Sequence, residues 1–180
     1  MAGIVLDEVK SGLAPIVRGD ARLLILGSLP GDRSLMAGRY YAHPTNQFWR
    51  LLGEAIGEDL QALSYDDRLA RLGDRGIGLW DVIGSARRTG SLDQAIREPA
   101  HNALEELVGD LPELRAIAFN GGTAAAIGRR LLGALPGAML IDLPSSSPAN
   151  TRPFAEKAEA WARLTPLVHR RNRPDMRPDD

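Results

Sequence analysis

Four short apolar runs, Arg22–Leu26, Ile77–Trp80, Arg115–Phe119 and Ala138–Asp142, recur along the chain with helix-length segments between them. They do not alternate with polar residues, which is the pattern expected of strands covered on both faces. The intervening segments carry helical spacing. Asn46 to Ile56 places Phe48, Trp49, Leu51, Leu52 and Ile56 on one side, and Asp66 to Leu72 is a shorter pattern of the same kind. Asn102 to Val108 follows Pro99, Thr123 to Leu132 follows a Gly-Gly pair, and Pro153 to Val168 opens on a proline suited to a first helical turn. Strands alternating with helices predict βαβ units, hence an α/β fold: a three-layer α/β/α sandwich around a central four-stranded parallel sheet. No internal repeat or long linker divides the chain, so residues 1–168 read as one domain. The Arg-, Pro- and Asp-rich tail, 169–180, reads as disordered.

Each run is followed by small or polar residues. Gly27-Ser28-Leu29-Pro30-Gly31 follows the first, and Asp81 with the loop to Ser91 the second. Asn120-Gly121-Gly122 follows the third, and Leu143-Pro144-Ser145-Ser146-Ser147-Pro148-Ala149-Asn150 the fourth. Ligands of open α/β sheets bind outside the carboxyl ends of the strands, so these segments predict one shared site.

Taken singly, each segment also has a plain structural reading. The Gly27–Gly31 turn lets backbone approach a ligand, but it lacks the Gly-Lys-Ser/Thr ending of a P-loop and the Gly-x-Ser-x-Gly of a nucleophile elbow. In Tyr40-Tyr41-Ala42-His43-Pro44-Thr45-Asn46-Gln47-Phe48-Trp49 the paired tyrosines offer flat faces for stacking a base, while Phe48 and Trp49 fall in the helical period of a core. Asn46 is either a polar site residue or a helix cap. Ser145, Ser146 and Ser147, set between prolines, form a hydroxyl-rich loop suited to DNA phosphates and not to nucleophilic catalysis, since no His–Asp pair accompanies them.

Composition narrows the chemistry. With no cysteine there is no disulfide, no thiolate nucleophile and no cysteine-held zinc or iron–sulfur cluster, and His43, His101 and His169 lack metal-ligand spacing. No metal or other cofactor is therefore expected. The formal charge of -1 does not itself indicate a nucleic-acid binder, but Lys10 and Lys157 are the only lysines among 22 basic residues, and arginine suits phosphate and flat groups. No apolar run is long enough to span a membrane and no signal-like N-terminus is present, so a cytoplasmic monomer is expected.

In this order, Gly27-Ser-Leu-Pro-Gly31, Tyr41-Ala-His-Pro-Thr-Asn-Gln-Phe-Trp49, Trp80-Asp81-Val82, Phe119-Asn120-Gly121 and Leu143-Pro-Ser-Ser-Ser-Pro-Ala149 resemble the uracil-DNA glycosylase superfamily. The resemblance spans roughly residues 20 to 168 and looks closest to the hypoxanthine-DNA glycosylase branch. The run Ala42 to Trp49 is also similar to the Ala-His-Pro-Ala-Asn-Arg-Phe-Trp of mismatch-specific uracil glycosylases. It implies strand order 2-1-3-4 and hydrolysis of the N-glycosidic bond of a flipped, deaminated base in double- or single-stranded DNA, leaving an abasic site for base-excision repair. Two positions depart from the better-known branches: Leu29 stands where Asp or Asn precedes the first motif's proline, and Leu143 where His or Asn opens the last motif. The resemblance therefore implies Asn46 as the catalytic residue. Gly27, Ser28, Tyr41, Asp81 and Asn120 would bind the base, with Tyr41 stacking on it, while Ser145, Ser146, Ser147 and the neighbouring Arg152 would hold DNA. A uracil-preferring glycosylase and a catalytically inactive DNA-binding relative are the alternatives.

Overall fold

A computed structural model of the chain describes residues 8–168; the tail expected to be disordered lies outside them. The chain runs through β1 (Val9–Ser11), β2 (Leu23–Gly27), α1 (Asp32–Ala37), α2 (Phe48–Ile56), α3 (Tyr65–Asp74), β3 (Ile77–Asp81), β4 (Ile83–Arg87), β5 (Arg97–His101), α4 (Leu104–Gly109), β6 (Ala116–Asn120), α5 (Gly122–Leu132), β7 (Met139–Leu143) and α6 (Phe154–Trp161). The four apolar runs are β2, β3, β6 and β7. They form one parallel sheet in the order β3-β2-β6-β7, the 2-1-3-4 arrangement expected.

Because side chains alternate across a strand, each apolar run feeds two cores. Leu23 and Ile25 face one cluster with Phe48 and Leu52 of α2, Leu72 of α3 and Trp161 of α6. Leu24 and Leu26 face the other, with Leu104 of α4 and Ala124 and Leu132 of α5. Gly128 lets α5 lie directly on β6, since a Cβ there would collide with the Phe119 ring. Among the described residues no helix is long and apolar enough to cross a membrane.

The structure departs from the sequence reading in several elements. The four strands extend one residue further, to Gly27, Asp81, Asn120 and Leu143, because these residues still pair in the sheet. The helix expected from Asn46 starts at Phe48, after a turn closed by Asn46. The last helix stops at Trp161 and continues as a 3-10 segment, Ala162–Leu167, containing Pro166, which has no N–H for an α-helical bond. The one-and-a-half-turn helix α1 was not anticipated; it ends at Gly38, whose φ of 62° suits glycine.

The largest difference is a second sheet. The stretch after Asp81, read as loop, folds into antiparallel β4 and β5, with β1 on the other edge, order β1-β4-β5. The turn between β4 and β5 reaches back over the carboxyl ends of the parallel strands.

Candidate active site

The strand ends open onto a cleft of about 880 Å³ lined by all the predicted site residues except Arg152. Gly27 and Asp81 are register partners at the ends of β2 and β3. A Cβ at Gly27 would stand 2.6 Å from Asp81 Oδ1 and 3.1 Å from the Tyr41 hydroxyl, so only glycine lets all three meet. Asp81 is 4 % exposed, and its Oδ2 has no hydrogen-bond partner. Burial and then the charge of Asp93 push this carboxyl up to about 7, while Arg88 draws it down. A buried carboxyl with an unused oxygen beside a cleft is a group poised to meet a polar ligand atom.

Tyr41 holds φ at 52°, an uncommon conformation for a non-glycine residue. Its ring lies flat on Phe48, 3.7 Å between centroids and 10° from parallel, so stacking on a base must use the opposite face. Its hydroxyl accepts from Asn120 Nδ2 at 3.2 Å; burial, and next the charge of Asp81, raise its pKa above the ordinary tyrosine value. Tyr40 is a core residue instead, 2 % exposed, donating its hydroxyl to the Ala14 carbonyl at 2.7 Å.

Asn120 is a bracket. Besides Tyr41, its Nδ2 donates to Ser146 Oγ at 2.9 Å and its Oδ1 accepts from Ser146 N at 2.9 Å. Ser146 is buried, and its carbonyl accepts from Gln47 N. Ser145 Oγ accepts from Ser147 N and Ser147 Oγ from Ala149 N, so the serine hydroxyls first shape their own loop. Asn46 has a local structural bond and a place at the site. Its Oδ1 accepts from Phe48 N at 2.9 Å, closing a turn one residue ahead of the α2 cap position, Gln47, while the residue lines the cleft and its Nδ2 makes no hydrogen bond to any described residue. Arg152 is exposed and stands outside the cleft, beside Lys157.

Several residues at the site were not singled out in the sequence reading, although the loop to Ser91 was placed there as a segment. From the β4–β5 turn, Asp93 Oδ1 accepts from Ser28 Oγ at 2.7 Å, and Ser91 Oγ from Asp32 N at 2.9 Å. Arg88, fully buried just past β4, donates to the carbonyls of Leu29 (3.3 Å) and Pro30 (2.5 Å). Lys10 of β1 pairs with Asp32 and donates to the Gly90 carbonyl. Lys157, 1 % exposed, donates to Gln47 Oε1 and the Asn150 carbonyl, joining two segments of the site. Leu29 is 6 % exposed and packs in the second core, so the departure at this position fills hydrophobic space. The sequence reading brought the loop from Asp81 to Ser91 to the shared site as a segment, but nothing local assigned Arg88, Ser91 or Asp93 to particular partners.

A parallel sheet of this order opens at its strand ends onto a cleft that joins an aromatic face, a buried carboxyl and an amide donor, the arrangement of an α/β enzyme that receives a flat, polar ligand. Residues 15–165 match the model of the uracil DNA glycosylase superfamily, and the chain belongs to that superfamily. Its relatives include a protein named hypoxanthine DNA glycosylase from Methanosarcina barkeri, 41% identical over 153 residues that make up 85% of this chain and 96% of the relative. Another of the same name, from Methanosarcina acetivorans, is 40% identical over equal shares. A solution NMR structure of a candidate uracil DNA glycosylase from Methanosarcina acetivorans superposes with a TM-score of 0.78 at 39% identity, over 88% of this chain and 97% of that one.

Proposed function

We propose that this enzyme excises hypoxanthine from DNA by monofunctional hydrolysis, leaving an abasic site. The observation that carries the reading is the unpartnered, buried Asp81 carboxyl at the end of β3, facing a cleft with an aromatic ring and an amide donor. Hypoxanthine presents a ring N–H beside a carbonyl. An ionised Asp81 accepts from that N–H, whereas adenine turns a lone pair toward the same oxygen and is repelled. The names of the Methanosarcina relatives support the same base.

In this reading the nucleotide leaves the helix, which costs a few kcal/mol and less for a mispaired base. Tyr41 stacks on the base with the face that Phe48 leaves open. As the glycosidic bond breaks, the base gains negative charge and the sugar positive charge. Asn46, whose oxygen is committed to Phe48 N, uses its Nδ2 donor toward the departing base. Gly27 and Ser28 line the base pocket, and Asn120 acts on it through Tyr41 and Ser146. Ser145 and Ser147, with Arg152 further out, contact the DNA backbone. The buried Lys157 ammonium is occupied by Gln47 and Asn150 and lies outside the cleft, which disfavours a Schiff-base lyase step.

Uracil has the same N–H and carbonyl pair, and the likeness to a candidate uracil DNA glycosylase keeps it as the competing substrate. Single-turnover release of free base from matched duplexes and single strands containing hypoxanthine, uracil or xanthine tests the assignment. Hypoxanthine is expected to be released fastest. Faster release of uracil would transfer the assignment to that base.

A further inference from the structure

Hydrolysis needs more than a donor for the leaving base. A water attacking the sugar must be held by an acceptor that takes up its proton, and a carboxylate nearby also stabilises the cationic sugar. The Gly27–Gly31 loop has no such side chain, because Leu29 is turned into the core. Asn46 cannot serve while its oxygen is held by Phe48 N in the turn before α2. Asp81 is buried beside Gly27 and Tyr41, and Asp32 is paired with Lys10.

Among the described residues one carboxylate on the cleft remains. Asp93 begins the one-turn 3-10 segment Asp93–Ala95 in the β4–β5 turn and is exposed on the cleft lining. One of its oxygens accepts from Ser28 Oγ at 2.7 Å, which fixes the carboxylate against the loop after β2 and leaves Oδ2 for a further partner. Two residues earlier, Ser91 accepts from Asp32 N, so the turn is pinned to that loop at two points. The unpartnered Asp81 oxygen in the same cleft independently marks the place where a ligand's polar edge belongs.

We propose that Asp93 is a catalytic residue that holds the attacking water through Oδ2 and faces the developing sugar cation, with Ser28 orienting it. The C1′–N bond breaks and its electron pair leaves on the base. The water oxygen bonds to C1′ and its proton passes to Asp93. The base anion takes a proton from solvent, and Asp93 returns its own to solvent. The role rests on the base-excision reading but not on which base is removed.

Asp93→Asn is the informative variant, because an amide oxygen can still accept from Ser28 and keep the turn docked, while it cannot take a proton. Each protein is assayed by single-turnover excision at saturating enzyme across pH, by binding to a duplex carrying a non-cleavable 2′-fluoro nucleotide, and by thermal melting. The expected result is a loss of about 10²-fold or more in rate for both Asp93→Asn and Asp93→Ala. Duplex binding and melting of Asp93→Asn should stay parental at every pH tested. Near-parental rates for Asp93→Asn with impaired Asp93→Ala would make Asp93 a brace for the turn and overturn the proposal, as would parental rates for both. A parent inactive on hypoxanthine, uracil and xanthine alike would instead overturn the base-excision reading itself.

Discussion

On one side of the cleft, Asn120 ties Tyr41 and Ser146 together through uncharged hydrogen bonds, and Gln47 N closes onto the Ser146 carbonyl. On the other, Arg88 grips the Leu29 and Pro30 carbonyls, Lys10 holds Asp32, and Asp93 meets Ser28. The first wall is neutral at the cleft, with the Lys157 ammonium one layer behind it on neutral acceptors. Neutral bonds fix geometry without responding to pH. The second wall carries charge of both signs and sets the electrostatics of the floor, since Asp93 and Arg88 act on Asp81 in opposite directions. Position comes from the first wall, while burial, and then the charges of the second wall, set the proton affinity of Asp81.

The largest effect should appear at the floor beside the charged wall. Folding keeps Asp81 protonated between its ordinary value of 3.8 and about 7, a window in which the unfolded chain has released that proton. Native stability therefore falls as pH rises through this window, by up to roughly 4 kcal/mol. Asp81→Asn lacks that term, so its stability relative to the parent should rise from pH 4 to pH 8. Denaturant melts at both pH values measure it. A difference independent of pH would mean that neither burial nor the charged wall lifts Asp81 above an ordinary carboxylate.

Next comes Asn46, where a local turn and chemistry coincide. Aspartate closes such a turn as well as asparagine does, so Asn46→Asp should melt like the parent yet lose about 10²-fold or more in single-turnover excision. If Asn46→Asp and Asn46→Ala both excise at parental rates, Asn46 only closes the turn and the neutral wall supplies no donor to the base.

Asn120→Ala tests the neutrality of its wall. It leaves the Ser146 N–H without its partner and should cost about 1–3 kcal/mol of stability, equally at pH 5 and pH 8. A cost that changes across that range would break the contrast between the walls. The smallest effect belongs to Arg152, exposed beyond the cleft. Arg152→Ala should lower the salt dependence of DNA binding by about one phosphate contact without altering base preference. Filter-binding titrations at several salt concentrations would show it, and an unchanged slope would remove Arg152 from the DNA face.

The two walls also differ in how much of them could be read in advance. Tyr41, Asn46, Asn120 and the three serines stand in compact motifs at the ends of apolar runs, and all reach the cleft. Their partnerships did not follow: nothing local indicates that Asn120 spends its amide on Tyr41 and Ser146, or that Phe48 covers one face of Tyr41. On the charged side and the floor, Gly27, Ser28 and Asp81 were legible as residues and the loop to Ser91 as a segment, while the roles of Lys10, Arg88, Ser91 and Asp93 were not.

What the sequence determined by itself is the parallel sheet with its two cores, because strands buried on both faces must be continuously apolar and such runs are visible locally. It also determined the polar strand ends, since a parallel sheet gathers its ligand groups there. The tertiary structure alone decided the second sheet and the wall it builds. β5 is Arg-Glu-Pro-Ala-His, exposed throughout, and β1 is only partly covered, so neither carries an apolar period to betray it. Ser28 and Asp93 are 65 residues apart in the chain. Their meeting depends on antiparallel backbone pairing, which any sequence can supply and which only the folded register assigns to particular partners.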